Sequence, residues 1–337
     1  MCPELCRGKP ELTEKKIRVG VVGVGDFGRN HVRVLHDLPG AELVGVHDAD
    51  PERARQIAAE FSTQAFPDVT HLAEQVDAAC VAVPTKLHAQ ITSELFEHGV
   101  DVLVEKPIAA SLVEADRLIA EAKKAGRILQ VGHLERFNPA IAAVQKIVSR
   151  PLFFEVHRLG VFSPRSLDVD VVFDVMIHDL DILLSLLNSP ARDIQAVGIP
   201  VLTDKVDIAH ARIEFESGAV ANVTASRVST ERVRKLRFFQ AREYISIDYT
   251  RQDVTRIRVV GEGSQPAIDF EKLPTEPEEP LKAELRSFVA AVRERKTPLV
   301  DGEAGRRALE LAERVMGGII EHANRVKPEL AAALTLK

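Results

Sequence analysis

The sequence predicts an α/β protein of two domains, in which a parallel sheet with crossover helices is followed by an α+β domain with a large, mostly antiparallel open sheet. The 337 residues exceed the size at which a single hydrophobic core stops growing. Between residues 17 and 131, β-rich runs alternate with amphipathic helical stretches, as in βαβ units. Beyond residue 151, strand-like runs follow one another with few helices between them, which predicts antiparallel pairing.

Each predicted element has its own sequence signal. The strand-like runs of the first region are IRVGVVG, AELVGVHD, AACVAVP, DVLVEKP and RILQVGH, and a helical stretch at 139–148 follows them. Those of the second region are LFFEVHRL, DIQAVGIPV, DIAHARIEF, GAVANVTASRV, KLRFFQ, EYISIDY and VTRIRVV. One long helix at 171–187 interrupts these strands, and the last helices are expected at 281–294 and 302–324. A proline-rich stretch at 272–280 predicts a flexible connection.

Composition excludes several classes of function. With 44 basic and 50 acidic side chains and a net charge of −6, the chain lacks the excess positive charge of a nucleic-acid-binding protein. Three cysteines can build neither a disulfide framework nor a zinc site, so we expect no metal and a reducing, cytoplasmic location. Residues 1–16 mix charges without an apolar run, which predicts a frayed leader and no membrane segment.

The strongest motif is GVGDFG, which places Gly23, Gly25 and Gly28 directly after a strand and before a helix. Glycines in this context permit a tight turn, a close approach of the backbone to a pyrophosphate, and a helix amino terminus that faces the anion. The motif predicts a Rossmann dinucleotide-binding domain at 17–134, joined by the closing helix at 302–325, with Asp26 and Phe27 beside the cofactor. The alternative is that the glycines only shape a turn.

Asp48 ends the next strand, 20 residues after Gly28. A carboxylate at this position can accept both ribose hydroxyls and would repel a 2′-phosphate, so it favours NAD. The alternative is that Asp48 caps the helix that begins at Pro51.

The predicted helix at 171–187 is apolar around most of its circumference, which predicts burial. Asp174, His178, Asp181 and Ser185 nevertheless form one polar line at spacings of four, three and four residues. This line should face a pocket or a partner, unless it is the exposed seam of an amphipathic helix. Asp179 lies beside the line and has no assigned role.

Further motifs occur at strand ends and in helices, in the order VAVPTKLH, VLVEKP, VGHLERFNPA, DVMIHDLD and DGEAGRRALELAERV. Together with GVGDFG they resemble the Gfo/Idh/MocA family of dinucleotide-dependent sugar oxidoreductases over most of the chain. The resemblance implies a cofactor site that includes Pro84, Thr85, His88 and Glu105. It also implies that Lys106 touches the reacting hydroxyl, that its bond to proline is often cis, and that Asp174 and His178 lie over the nicotinamide.

Alcohol oxidation needs a base for the hydroxyl proton and a cation for the nascent oxyanion. His178 has a suitable pKa for a base, Lys106 supplies positive charge, and Asp174 could orient the imidazole. The sequence leaves open which of Lys106 and His178 takes the proton. The alternative for Lys106 is an ordinary solvated side chain at a strand end.

The segments DVMIHDLDILLSL and DIAHARIEFESGAVANVTASRVS most resemble the corresponding segments of family members that oxidise carbon 3 of UDP-N-acetylglucosamine. A pyrophosphate needs cations, and the candidates in the second domain, at 135–301, are Arg158, Arg165, Arg227 and Arg232, of which the first two are preferred. Each could instead form a solvent-exposed ion pair. Arg136 and Asn138 resemble residues at the pocket mouth, although Asn138 could only cap a helix.

Several alternatives stay open. The protein could be an inositol or free-sugar dehydrogenase of the same family, or a non-catalytic regulator that binds a dinucleotide. Strands such as EYISIDY place apolar residues at alternate positions, on a sheet face that the helices of the chain do not bury. Another copy of the chain could bury this face, so the second domain is also expected to form a homodimer or homotetramer. A pathway aminotransferase is a possible partner, because it would consume a keto sugar.

Overall fold

The computed structural model describes residues 15–163, 169–261 and 266–326. Its first domain is built on a six-stranded parallel sheet in the order β3-β2-β1-β4-β5-β6. The strands are β1 (Ile17–Val22), β2 (Ala41–His47), β3 (Gln64–Ala65), β4 (Ala78–Val81), β5 (Asp101–Glu105) and β6 (Leu129–Gly132). The helices are α1 (Asp26–Asp37), α2 (Pro51–Glu60), α3 (Val69–Ala73), α4 (His88–Glu97) and α5 (Leu112–Ala125).

Helices cover both faces of this sheet, so its central strands are fully buried. Helices α1 and α2 pack on one face, together with α8 (Pro280–Glu294) from the end of the chain, and α3, α4 and α5 pack on the other. The strand order reverses between β1 and β4, and ligands of open parallel sheets bind at such a switch point, beyond the carboxyl ends of the strands.

The second domain is built on an eight-stranded sheet in the order β14-β13-β12-β11-β7-β10-β9-β8. Neighbouring strands are antiparallel except for β7 and β10, which are parallel. The strands are β7 (Phe153–Leu159), β8 (Ala191–Ile199), β9 (Ile208–Phe215), β10 (Val220–Ser226), β11 (Val233–Gln240), β12 (Glu243–Asp248), β13 (Asp253–Val260) and β14 (Ala267–Leu273). One face packs on α6 (Pro139–Gln145), α7 (Ile177–Leu187) and α9 (Gly302–Val326).

The predicted fold class is confirmed, and the differences are local. Strand β14 was not predicted, and its last two residues fall in the stretch that had been expected to be a flexible connection. The predicted helix at 171–187 begins with a π-helical turn, Val172–Met176, before the α-helical part that is α7. Among the described helices, none is long and apolar enough to cross a membrane.

Helix α9 lies against both sheets. A Cβ atom on Gly305 would come within 2.6 Å of the Val131 side chain on β6, and one on Gly318 would come within 3.3 Å of the Ala196 Cβ on β8. These glycines allow the helix backbone to approach each sheet closely. Gly317, between them, would meet nothing within 4 Å.

We predict opposite effects for two glycine-to-alanine substitutions in α9. Gly317→Ala should raise the free energy of unfolding by about 0.5–1 kcal/mol, because alanine costs less backbone entropy in a helix. Gly305→Ala should lower it, because overpacking against a buried strand costs about 1–3 kcal/mol and exceeds that gain. Urea denaturation of both variants tests the prediction, which fails if Gly305→Ala is as stable as Gly317→Ala.

Candidate active site

A cleft of about 790 Å³ opens at the carboxyl edge of the parallel sheet. Its wall begins at the glycine-rich turn with Gly23, Gly25, Asp26 and Phe27, and continues past Asp48. The remaining part includes Pro84, Thr85, His88, Glu105, Lys106 and Asp174. The cleft therefore brings together most of the cofactor residues that the sequence predicted.

The glycine-rich turn has the shape that a pyrophosphate requires. Gly23 has φ +84°, and a Cβ on Gly28 would lie 1.8 Å from the carbonyl oxygen of Gly23, so only glycine lets α1 pack this closely on β1. A Cβ on Gly25 would point into open space. Helix α1 begins at Asp26 without a side-chain cap from Gly25, and the first turn of a helix is a favourable position for an anion. These features fit a dinucleotide.

Asp48 is buried at the end of β2 and holds the turn in place. Its carboxylate accepts hydrogen bonds from the backbone N–H groups of Val24, at 2.7 Å, and Asp50, at 2.9 Å. Helix α2 is capped by Asp50, which accepts from Glu52 and Arg53, so the alternative that Asp48 caps this helix is wrong. The sequence did not predict that Arg53 would lie 3.3 Å from Asp48 and line the cleft.

His88 and Glu105 support the wall of the cleft from behind. The ring nitrogens of buried His88 lie 2.8 Å and 2.9 Å from the carbonyl oxygens of Pro107 and Val83. The Glu105 carboxylate lies 2.8 Å from Nε2 of His31, a buried residue of α1. Both side chains thus bind protein groups, and His31 links the glycine-rich helix to the strand that carries Lys106.

Lys106 and Asp174 are in direct contact across the cleft. The Lys106 ammonium donates to the backbone carbonyl of Asp174, at 2.6 Å, and to its carboxylate, at 3.1 Å. Only 11% of the Lys106 side chain is exposed, so the alternative of a solvated lysine is wrong. The bond between Lys106 and Pro107 is cis. Asp174 belongs to the π-helical turn, a distortion that often occurs at functional sites.

His178 lies one α-helical turn beyond Asp174 and is partly exposed, although its Nδ1 is inaccessible to solvent. Burial, followed by the positive charges of Lys106 and Arg158, holds the pKa of His178 well below its usual range, so the imidazole is neutral at pH 7. Its Nδ1 has no hydrogen-bond partner among the described residues. Asp174 therefore contacts Lys106. The expectation that it orients the imidazole of His178 is wrong.

A second imidazole, that of His133, lies next to His178 and was missed by the sequence reasoning. The two rings are edge to face with centroids 6.3 Å apart. His133 is buried at the end of β6, and neither of its ring nitrogens has a hydrogen-bond partner in the described part of the chain. Burial lowers the pKa of His133. The motif VGHLERF contained this residue, but nothing in its spacing marked it.

The rest of the polar line on the helix faces inward. Asp181 is buried and pairs with Arg136 at 3.3 Å, and the Ser185 hydroxyl donates to the Ile182 carbonyl. The alternative of an exposed amphipathic seam is therefore wrong. Arg136 is 11% exposed and lies beside the site through its contact with Asp181.

Arg158 is not available to bind a substrate, which corrects the sequence-based assignment. Its guanidinium donates to both oxygens of Asp179, at 2.7 Å and 2.9 Å, and to Glu135, at 2.8 Å. It also lies over the Tyr249 ring, 4.9 Å from the centroid. Asp179, which had no assigned role, is fully buried in this cluster. Three acceptor oxygens and an aromatic face surround the cation.

Two other candidates for substrate contacts have structural roles. Asn138 is buried and caps α6 by accepting from Ala140, while its amide donates to Glu135 and to the Tyr249 carbonyl. The helix-cap alternative is therefore correct for Asn138. Arg227 pairs with buried Asp207 at 2.7 Å. Arg165 lies outside the described residues. Among the described residues, no cluster of side chains could hold a metal ion.

Comparison with known proteins agrees with this geometry. Residues 17–133 match the profile of the oxidoreductase family with an NAD-binding Rossmann fold, and residues 154–262 match the Gfo/Idh/MocA C-terminal domain. The chain belongs to the Gfo/Idh/MocA family. The resemblance that the motifs indicated is confirmed, and the protein is an oxidoreductase with an NAD-binding domain.

Individual relatives cover most of the chain. It is 38% identical to the UDP-N-acetylglucosamine 3-dehydrogenase of Acidithiobacillus ferrooxidans over 89% of this chain and 96% of that protein. It is 30% identical to the scyllo-inositol 2-dehydrogenase (NAD(+)) of Bacillus subtilis over 85% of this chain and 89% of that protein. The solved structure of the A. ferrooxidans enzyme superposes with a TM-score of 0.85 at 36% identity and covers 90% and 98% of the two chains. Levoglucosan dehydrogenase in complex with NADH shares the fold, with a TM-score of 0.82 at 19% identity over 91% and 98% of the chains.

We predict that His178 makes stability depend on pH below neutrality. Because burial lowers its folded-state pKa, the unfolded chain takes up a proton below about pH 6.5 that the folded chain does not, so stability is lost as the pH falls. For one such imidazole, the free energy of unfolding falls by at most about 1.4 kcal/mol for each pH unit. Urea denaturation at about pH 7.5 and 5.5 should show a smaller loss for His178→Asn than for the wild type. His98→Asn, at an exposed position, is the control, and equal losses in all three proteins would contradict the prediction.

Proposed function

We propose that the protein oxidises the carbon-3 hydroxyl of UDP-N-acetylglucosamine to the 3-keto sugar nucleotide, with NAD as the acceptor. The main support for this proposal is the contact between Lys106 and Asp174. Both residues line the cleft that starts at the glycine-rich turn, and His178 follows Asp174 by one helical turn. The similarity to a UDP-N-acetylglucosamine 3-dehydrogenase supports this substrate.

The side chains divide the chemistry in a simple way. Bound NAD supplies the hydride acceptor. The Lys106 ammonium, held by Asp174, stabilises negative charge on the substrate oxygen as the hydroxyl loses its proton. His178 is neutral at pH 7 because its pKa is lowered, so its imidazole can accept that proton. The limited exposure of Lys106 strengthens these interactions, because water screens them less.

We predict that the protein forms NADH with UDP-N-acetylglucosamine and that two substitutions abolish most of this activity. Lys106→Met should lower kcat about 100- to 1,000-fold because it removes the charge that stabilises the oxyanion. His178→Asn should lower it about 100- to 10,000-fold because it removes the base. Absorbance at 340 nm measures the rate, and mass spectrometry identifies the keto product.

The control is Lys123→Met, which removes an exposed lysine from the last turn of α5. It should retain full activity. Turnover of scyllo-inositol or myo-inositol without turnover of UDP-N-acetylglucosamine would favour the inositol dehydrogenase alternative. Binding of NAD without turnover of any sugar would favour a non-catalytic regulator.

The same proposal gives the protein a place in the cell. A 3-keto sugar nucleotide is the substrate that an aminotransferase would convert to a diamino sugar, as needed for lipid A precursors or other cell-surface amino sugars. We place the protein in the cytoplasm, where the cofactor and the nucleotide sugar are available. Detection of the 3-keto product is the first test, because without it there is nothing for an aminotransferase to consume.

We also propose that two copies of the chain associate through the outer face of the eight-stranded sheet. Directly paired residues form an apolar row across five strands of this face. The row consists of Phe153, Phe239, Tyr244, Ile257 and Phe270. Phe270 is 71% exposed and Phe239 is 37% exposed. The Phe239 ring stacks on the Phe153 ring with their centroids 5.7 Å apart, and its centroid lies 5.2 Å from that of the tilted Tyr244 ring. A second copy would cover this row with an identical surface.

We predict that Phe239→Glu shifts the protein from a homodimer or homotetramer to a smaller species. A buried, unpaired carboxylate at the centre of the row would oppose association. Light scattering after size-exclusion chromatography measures the mass. Val113→Glu, at an 80% exposed position on α5, should leave the mass unchanged. A monomeric wild-type protein would contradict the proposal.

A further inference from the structure

Two arginines lie directly opposite each other on neighbouring strands of the second sheet. Arg234 on β11 pairs in register with Arg158 on β7. The alternate residues of β11, Leu236 and Phe238, are buried, so Arg234 lies on the sheet face that packs against the helices. Its side chain is exposed at the end of that row. Two cations in this arrangement repel each other unless anions compensate them.

Only one of these two charges is compensated within the chain. Arg158 has the carboxylates of Asp179 and Glu135 as direct partners. Arg234 has no side-chain hydrogen bond or ion pair to any described residue, and the same two carboxylates influence it only at longer range. Partial burial and the charge of Arg158 lower the pKa of Arg234, and the nearby Arg232 adds a further positive charge. The cation at Arg234 is therefore maintained at an energetic cost.

Arg234 is also close to His178. Asp179, the partner of Arg158, is the residue next to His178 on α7, and the charge of Arg234 contributes to lowering the pKa of His178. The glycine-rich turn, which serves the pyrophosphate of the dinucleotide, belongs to the other domain. An anion bound at Arg234 would therefore belong to the substrate.

We propose that Arg234, with Arg232 beside it, binds the diphosphate of a nucleotide-linked sugar whose hydroxyl lies at Lys106 and His178. This inference rests on the proposed function and assigns to Arg234 the role that the sequence had given to Arg158. A guanidinium binds phosphate oxygens through two parallel N–H donors, which suits a planar, exposed side chain without an internal partner. The anion also removes the repulsion between Arg234 and Arg158.

The test compares Arg234→Met with Lys235→Gln, which changes the next residue of the same strand on the opposite sheet face. Arg234→Met should raise KM for UDP-N-acetylglucosamine and the Kd of UDP about 10- to 100-fold, the range for loss of charge-assisted hydrogen bonds. Its KM for NAD should stay unchanged, and Arg234→Lys should recover part of the loss. Lys235→Gln should leave KM for UDP-N-acetylglucosamine, KM for NAD and the Kd of UDP at the wild-type values.

Thermal unfolding separates binding from a structural role. Because Arg234→Met removes a repulsive charge, its Tm should equal or exceed that of the wild type, whereas a structural arginine would lower it. Calorimetry with UDP alone separates the two proposals. Weakened UDP binding in a protein that oxidises no nucleotide sugar would support the anion site and reject the proposed function. If the wild type oxidises UDP-N-acetylglucosamine and Arg234→Met leaves both KM for this substrate and the Kd of UDP unchanged, the anion site is rejected and the proposed function stands.

Discussion

The guanidinium of Arg158 lies in the protein interior between two carboxylates that come from separate segments. Glu135 belongs to the turn that follows β6, Asp179 belongs to α7, and Arg158 itself belongs to the central region of the second sheet. Removing the arginine would leave two buried carboxylates without a counter-charge, and an uncompensated buried charge costs about 3–5 kcal/mol. The three segments therefore cannot shift independently, and the position of His178, next to Asp179, follows from this constraint.

A contact between the two domains places the chemistry. The contact of Lys106 with Asp174 joins the end of β5 to the π-helical turn, and the buried cluster around Arg158 fixes the helix directly after it. The ammonium is thus held on the wall of the cleft, and the neutral imidazole lies one helical turn beyond Asp174. The ammonium affects the imidazole, because the charge of Lys106 is the second largest cause, after burial, of the lowered pKa of His178. A base that stays unprotonated near a cation suits the removal of a hydroxyl proton.

The sequence predicted the features that depend on local pattern, and it failed where long-range partners decide. The glycine-rich turn, the alternation of strands and helices, and the place of Asp174 on a polar line follow from spacing along the chain. The role of Lys106 was instead implied by the family resemblance of VLVEKP. The choice between Arg158 and Arg234 does not follow from spacing, because both are arginines on strands and only the tertiary contacts show which one meets carboxylates. Likewise, Asp50 and not Asp48 caps α2, a difference set by the path of the backbone after β2. The π-helical turn has no sequence signal of its own, because its residues fit an ordinary helix.

Selection among alcohols must come from contacts away from the reacting carbon. An ammonium and an imidazole recognise a hydroxyl, which an inositol, a free sugar and a nucleotide sugar all supply. Contacts with the rest of the substrate can therefore select among them and contribute to the rate. The diphosphate contact that we propose for Arg234 would discriminate strongly, because a neutral polyol leaves the charge of Arg234 uncompensated beside Arg158, whereas a diphosphate neutralises it. Lys106 and Asp174 thus meet where the two domains join, and the proposed anion contact lies on the second sheet.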